Sequence, residues 1–160
     1  MKKTAEKVVN RLIELNKKIS TAESCTGGLV AKLITDISGA SEVFDCSIVS
    51  YSNEIKNKLL YVPNELLDNF GAVSAEVAFA MARGIRTVAG ADIGVGITGI
   101  AGPTGATDKY PVGTCFIAVT DGEKDIVRLI QTDYDSDDCR NYNRNFNAKA
   151  ALEMTLEILE

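Results

Sequence analysis

The order in which strand-like and helix-like segments follow one another constrains the fold of this chain more than any other feature. Short apolar runs first alternate with segments whose apolar residues recur at helical spacing. Two apolar runs then flank Asp121-Gly122, a pair typical of a hairpin turn, and a helical segment closes the chain. This order predicts an α/β fold with three layers, α/β/α, and a mixed, mainly parallel sheet. The length of 160 residues predicts one domain, residues 1–160.

The periodicity also predicts approximate bounds for each element. The predicted helices cover residues 2–17, 29–37, 53–60, 63–70, 75–88 and 137–159. The predicted strands cover residues 19–22, 44–51, 93–98, 114–120 and 125–132. Ser74 is expected to cap the fifth helix, whose alanines would let it lie close to the sheet. The loop at 99–113 is unusually long, and such loops are often functional.

Charge and cysteine content limit the classes of partner. The net charge of −5, with acidic residues spread along the chain, argues against nucleic-acid binding. No apolar run approaches the roughly 18 residues of a membrane span, and residues 1–18 lack the apolar core of a signal peptide. The four cysteines form no C-x-x-C pair, which indicates neither zinc nor a disulfide framework. Reduced thiols and a cytoplasmic location are expected.

The chain contains no histidine. A Ser-His-Asp or Cys-His catalytic arrangement therefore cannot be built from this chain alone. If the protein is a hydrolase, its base must be a lysine, a tyrosine, a carboxylate or a water molecule.

The stretch 94–99, GVGITG, matches the dinucleotide-binding pattern G-x-G-x-x-G. That pattern requires its glycines between a strand and a helix. Here the glycines fall within the predicted strand, and the residues that follow contain Pro103 and cannot easily open a helix. A dinucleotide site is therefore not expected.

The stretch 21–28, TAESCTGG, combines a strand end, a glycine turn and a helix start. The glycines let a ligand approach the backbone, and first-turn N–H groups favour a phosphate or a developing oxyanion. Ser24 is either a nucleophile or only the cap of the following helix. Cys25 is either an activated thiolate at a helix N-terminus or a small buried apolar residue.

Two further clusters could complete a site. Tyr51 ends a predicted strand, and Lys56 follows within the next helix; a lysine desolvated beside Ser24 could deprotonate its hydroxyl, although most such lysines are solvated charges. The glycines of the 98–114 loop could turn N–H groups toward an anion. Arg140 and Arg144 lie four residues apart, and either could bind a phosphate or simply be exposed.

Taken together, these segments resemble the C-terminal domain family of the competence-damage-inducible protein CinA, which includes stand-alone nicotinamide-nucleotide amidases. The similarity runs over about residues 4–159 and rests on TAESCTGG, SYSNEIKNKLL, GAVSAEVAFAMARGIR, GADIGVGITGIAGPTG and PVGT. The resemblance implies deamidation of nicotinamide mononucleotide (NMN) to nicotinate mononucleotide and ammonia. It implies no metal or other cofactor, a small nucleotide as substrate, and a dimer.

The resemblance also implies roles for individual residues. Ser24 would be the nucleophile, Lys56 its base and Tyr51 a support of the substrate site. Arg144, rather than Arg140, would match the arginine of the last helix. The resemblance places Thr98 and Arg144 in the substrate site. Together with the glycine turn at 21–28 and the glycines of the 98–114 loop, the residues expected in substrate binding are Cys25, Thr26, Gly27, Gly28, Thr98, Gly99, Ala101, Gly102 and Arg144.

The chain departs from the family pattern in two places. Residues 45–47, Asp-Cys-Ser, stand where the family usually has a glycine pair. Thr104, Ala106 and Tyr110 interrupt a loop that usually carries more glycines. Because that loop helps to shape the pocket, these substitutions bear on the substrate specificity of this chain rather than on its reaction class. A non-catalytic nucleotide-binding module remains the alternative function.

Overall fold

The computed structural model describes residues 1–134 and 136–160. Its five strands form one sheet in the order β2-β1-β3-β4-β5. The strands are Ile19–Glu23 (β1), Phe44–Val49 (β2), Ile93–Gly99 (β3), Thr114–Thr120 (β4) and Asp125–Gln131 (β5). The helices are Lys2–Glu14 (α1), Leu29–Thr35 (α2), Ala40–Val43 (α3), Asn53–Leu60 (α4), Asn64–Phe70 (α5), Ala75–Ala89 (α6) and Cys139–Ile158 (α7).

The sheet is mixed and lies between two layers of helices. Strand β1 pairs in parallel with both β2 and β3, whereas β4 is antiparallel to β3 and to β5. Buried residues of α1, α2 and α7 pack on one face of the sheet, and those of α4, α5 and α6 pack on the other. The predicted α/β class and the layered architecture are therefore confirmed. The parallel strands β1, β2 and β3 also end at the same edge of the sheet, which positions the site described below.

Glycines inside β3 allow α6 to lie directly on the sheet. A Cβ atom at Gly96 would stand 2.1 Å from the Ala78 carbonyl oxygen, and one at Gly94 would stand 2.2 Å from the Ala82 carbonyl oxygen. Both distances are far below any allowed contact, so the helix backbone occupies the space of the missing side chains. The GVGITG stretch is thus explained by helix–sheet packing, and its glycines lie in a strand as predicted.

Local sequence explains most of the observed bounds. Ser74 caps α6 by accepting the Val77 N–H, as predicted, and Ser52 caps α4 in the same way by accepting the Ile55 N–H. The predicted helix at 29–37 instead ends at Thr35, and the short helix α3 follows at Ala40. Between them Gly39 has a φ of 87°, a left-handed conformation that glycine adopts without strain. None of the helices in the described residues is both long and apolar enough to cross a membrane.

Candidate active site

The carboxyl ends of the three parallel strands surround a cavity of about 260 Å³. Ser24 follows β1, Tyr51 follows β2 and Thr98 lies near the end of β3. Such an edge is where α/β sheets usually bind ligands. The cavity is lined by Ser24, Cys25, Tyr51, Asn53, Lys56, Ala72, Val73, Thr98, Gly99, Ile100, Ala101, Gly102, Thr104, Gly105 and Arg140.

Lys56 is buried beside Ser24. Its Nζ donates one hydrogen bond of 3.2 Å to the Ser24 hydroxyl and another of 2.7 Å to the Ser50 carbonyl oxygen. Only 2% of the lysine is exposed, and it forms no ion pair with any carboxylate of the described residues. The capped first turn of α4 fixes the helix that carries this side chain. The two residues that the sequence analysis paired are therefore in direct contact.

Burial changes the protonation of this lysine. Removal of the ammonium group from water lowers the pKa of Lys56 below its ordinary value of 10.5, and the nearby Cys25 opposes the shift only in part. The lowered pKa increases the fraction of neutral amine near neutral pH. A neutral amine at hydrogen-bond distance from a hydroxyl can accept its proton.

Glu23 occupies the N-terminus of α2. Its carboxylate is fully buried and accepts hydrogen bonds from the N–H groups of Gly28, Val30 and Ala31 at 3.0, 3.1 and 2.9 Å. The negatively charged group expected at this helix start is thus the Glu23 side chain and not a bound phosphate. The N–H of Gly28 is not free for a ligand, and Gly28 does not line the cavity. Ser24 does not cap the helix, because Glu23 does so.

Arg144 lies on the far side of the same turn. Its Nε and Nη2 both donate to the Thr26 carbonyl oxygen, at 3.0 and 2.6 Å. The guanidinium packs against Gly27, where a Cβ would come within 2.7 Å of Nη2. Among the described residues that line the cavity, Arg144 does not appear, and neither do Thr26 and Gly27. Their predicted contacts with a substrate stay predictions.

Arg140, one helical turn earlier, does line the cavity. Its Nη1 donates to the Gly102 carbonyl oxygen at 2.9 Å, and its Nη2 donates to the Tyr51 hydroxyl at 2.7 Å. Tyr51 itself is 62% exposed. A cation and a phenol are therefore joined at the exposed side of the cavity, at a position suited to a negatively charged group.

The remaining predicted residues contribute to the cavity wall. The Thr98 hydroxyl donates to the Ala72 carbonyl oxygen at 2.7 Å and so holds the segment before α6 against the end of β3. Gly99, the last residue of β3, lines the cavity. So do Ala101 and Gly102 of the loop between β3 and β4, residues 100–113, which is called the glycine loop below. The buried Cys25 thiol lies 3.8 Å from the Cys115 thiol, and burial raises the pKa of Cys115. The described residues contain no group of three or more metal-binding side chains.

Sequence reasoning missed several parts of the site. It did not consider Glu23 as the cap of α2. An acidic residue between an apolar strand and a glycine turn is a sequence feature that could have indicated this role. It also missed the Ser50 carbonyl that binds Lys56, because backbone acceptors leave no trace in a sequence. Asn53, Ala72 and Val73 reach the cavity from elements whose positions only the fold reveals.

These features define an α/β domain with a cavity and a buried Ser-Lys pair at the carboxyl edge of its sheet. The profile of the CinA C-terminal domain matches residues 1–159. The chain belongs to the CinA C-terminal domain family, as the resemblance predicted.

Individual relatives agree with this assignment. A CinA-like protein of Kosmotoga olearia is 51% identical over 154 residues, which are 96% of this chain and 36% of that protein. A CinA-like protein of Geobacter sulfurreducens is 48% identical over 140 residues, 79% of this chain and 34% of the relative. The chain thus spans about a third of the length of the curated relatives that it matches.

Solved structures match over nearly the whole chain. The competence/damage inducible protein CihA from Agrobacterium tumefaciens superposes with a TM-score of 0.94 at 35% identity, covering 99% of this chain and 95% of that one. A CinA superfamily protein from Escherichia coli gives a TM-score of 0.91 at 28% identity, covering 97% and 88%.

Proposed function

We propose that the protein is an amidohydrolase that converts NMN to nicotinate mononucleotide and ammonia. The observation that carries the proposal is the 3.2 Å hydrogen bond between the Lys56 amine and the Ser24 hydroxyl, inside a cavity. A buried lysine with a lowered pKa can take the part that histidine plays in other serine hydrolases, and this chain has no histidine. The resemblance to nicotinamide-nucleotide amidases supplies the substrate.

The first half of the proposed reaction acylates Ser24. The neutral Lys56 amine takes the hydroxyl proton while the Ser24 oxygen attacks the carboxamide carbon. The N–H group of Cys25, a residue that lines the cavity, has no acceptor among the described residues and would stabilise the oxyanion. One such donor typically lowers the barrier by roughly 3–4 kcal/mol. The Lys56 ammonium then returns the proton to the leaving nitrogen, and ammonia departs.

The second half releases the product. Lys56 takes a proton from a water molecule, whose oxygen attacks the acyl carbon and breaks the ester to Ser24. The proton returns to the serine oxygen, which restores the starting state. Each proton is exchanged at one amine, so no further acid or base is needed.

Arg140 is the residue best placed to bind the phosphate of the substrate. It lines the cavity together with Tyr51 and the glycine loop, whereas Arg144 is bound to the backbone. A guanidinium can bind a phosphate through two parallel hydrogen bonds. The proposed pose therefore places the carboxamide at Ser24 and the phosphate near Arg140.

Ammonia release from NMN tests the proposal directly. The purified protein should release ammonia, and Ser24→Ala and Lys56→Met should each lower kcat by at least about 1,000-fold. Lys149→Ala is the matched control, because Lys149 is an exposed cation on α7 paired with Glu153. Binding of NMN without ammonia release would instead favour a non-catalytic nucleotide-binding module.

A cysteine nucleophile makes the opposite prediction. Cys25 also lines the cavity, but the hydrogen bond from Lys56 goes to Ser24, and the Cys25 thiol contacts Cys115. Cys25→Ala should therefore retain ammonia release within about tenfold. Loss of activity in that variant together with survival of Ser24→Ala would assign the nucleophile to Cys25.

A further inference from the structure

The turn that carries Ser24 is closed by its own backbone. The Ser24 carbonyl oxygen accepts the Gly27 N–H at 3.1 Å, and the Ser24 N–H donates to the Ile97 carbonyl oxygen at 3.0 Å. Within this turn the N–H groups of Cys25 and Thr26 donate to no acceptor in the described part of the chain. Of these two residues only Cys25 lines the cavity, so the orientation of the turn sets both the Ser24 hydroxyl and the free Cys25 N–H beside it.

Arg144 fixes that orientation from outside the cavity. Two of its nitrogens converge on the single carbonyl oxygen of Thr26, and the absent side chain of Gly27 leaves the space in which the guanidinium lies. A planar guanidinium that donates twice to one oxygen restricts the rotation of the peptide plane. Because this peptide joins Thr26 to Gly27, it belongs to the turn itself.

We propose, on the basis of the function proposed above, that Arg144 is a positioning residue. It holds the Thr26 carbonyl and thereby orients the Ser24 hydroxyl and the N–H group of Cys25. It does not bind the phosphate of the substrate. This assignment replaces the substrate-binding role that the resemblance implied for Arg144.

The two roles differ in what they do to kinetics. A turn that rotates freely misplaces the nucleophile and the Cys25 N–H in the transition state, which lowers kcat for every substrate. A lost phosphate ligand instead raises KM, and only for a substrate that carries a phosphate. Nicotinamide riboside, which has the same carboxamide and ribose without the phosphate, separates the two cases.

Arg144→Ala and Arg144→Lys should be compared with the wild-type protein on NMN and on nicotinamide riboside. We expect kcat to fall by about 100-fold for both substrates in Arg144→Ala, with KM changed less than about threefold. Arg144→Lys retains a cation that can donate to Thr26, and it should recover part of kcat. Lys149→Ala, on the same helix, is the control.

A second readout does not depend on the substrate. Diisopropyl fluorophosphate phosphorylates an activated serine: the serine oxygen bonds to phosphorus, fluoride leaves, and the hydroxyl proton passes to Lys56. During this step the reagent would accept the same Cys25 N–H at its phosphoryl oxygen. Its labelling rate at Ser24 should fall by about 100-fold in Arg144→Ala, measured by mass spectrometry well below the midpoint of thermal unfolding. Lys149→Ala, outside the cavity, should label at nearly the wild-type rate.

The outcomes separate this inference from the proposed function. An unchanged labelling rate in both Arg144 variants, or a rise of KM for NMN alone, would overturn the positioning role. Labelling of Ser24 in the wild type without ammonia release from NMN would overturn the proposed substrate, yet the labelling comparison would still decide the role of Arg144. If Arg144→Ala fails to fold, Arg144→Lys carries the same comparison.

Discussion

The Arg140 guanidinium and the Tyr51 hydroxyl are joined by a 2.7 Å hydrogen bond, which connects α7 to the segment after β2 at the exposed side of the cavity. The same guanidinium binds the Gly102 carbonyl oxygen of the glycine loop at 2.9 Å. Three segments that are far apart in the sequence are thus held together by one cation. A ligand with a negative charge would compete for that cation with two neutral acceptors, so an anion has a clear electrostatic advantage.

If NMN is the substrate, as proposed, Arg140→Ala should weaken its binding. We expect KM for NMN to rise by about 10- to 100-fold, because a hydrogen bond between charged groups is worth about 1.5–3 kcal/mol. KM for nicotinamide riboside should change by less than about threefold. Steady-state kinetics on both substrates provides the measurement, and an equal rise of KM for the two would show that Arg140 supports the loop rather than the phosphate.

The activity should increase with pH as Lys56 loses its proton. In the proposed mechanism the neutral amine is the active form, and burial lowers the pKa of Lys56, so the half-maximal point of kcat/KM should lie below 10.5. Activity falls at lower pH because the protonated amine cannot accept the serine proton. Lys56→Arg should be inactive at every pH, since an arginine stays protonated. A pH profile that is flat down to pH 5 would contradict the role of the lysine.

Glu23→Gln should destabilise the fold although it keeps the shape of the side chain. The carboxylate accepts three backbone N–H groups, and the amide of glutamine would turn donors toward some of them. We expect the free energy of unfolding in urea to fall by about 2–3 kcal/mol. Glu153→Gln, at an exposed ion pair on α7, is the control and should change it by less than about 0.5 kcal/mol. Equal effects in the two variants would show that the buried cap adds nothing.

Gly96→Ala should be costly because of packing rather than backbone conformation. The new methyl group would meet the Ala78 carbonyl oxygen and the Ala82 nitrogen of α6, at 2.1 and 2.5 Å, so strand and helix must separate. We expect a loss of about 3 kcal/mol or more in the free energy of unfolding. Gly90→Ala, at the end of the same helix, meets nothing within 4 Å and should cost only about 1–2 kcal/mol for its positive φ. A smaller loss at Gly96 than at Gly90 would contradict this account.

Local patterns predicted the elements well where one physical cause dominated. The serine cap of α6, the hairpin at Asp121-Gly122 and the apolar strands all follow from short-range chemistry. The predicted helix at 29–37 was too long, because helical spacing continues to Ile37 while Ser38 and Gly39 redirect the chain. The predicted strand at 44–51 was likewise too long, since the chain turns before Ser52 to cap α4.

The site was predictable only as a set of candidates. The order of the strands brings Ser24 and Lys56 together, and the absence of histidine made lysine the leading base. Nothing in the local sequence separates Arg140 from Arg144, because both stand on one helix and differ only in what the fold places opposite them. The role of Glu23 was not predictable, because it depends on the turn that brings the start of α2 back to the end of β1.

Residues that meet at this cavity are far apart in the sequence, and this separation affects when the site forms during folding. Lys56 and Ser24 are 32 residues apart, whereas Arg140 and Tyr51 are 89 apart. Contacts between such distant segments form late when a chain refolds, after the local helices. If the proposed activity holds, ammonia release after dilution from urea would recover later than helical circular dichroism, because it requires the last helix to be in place.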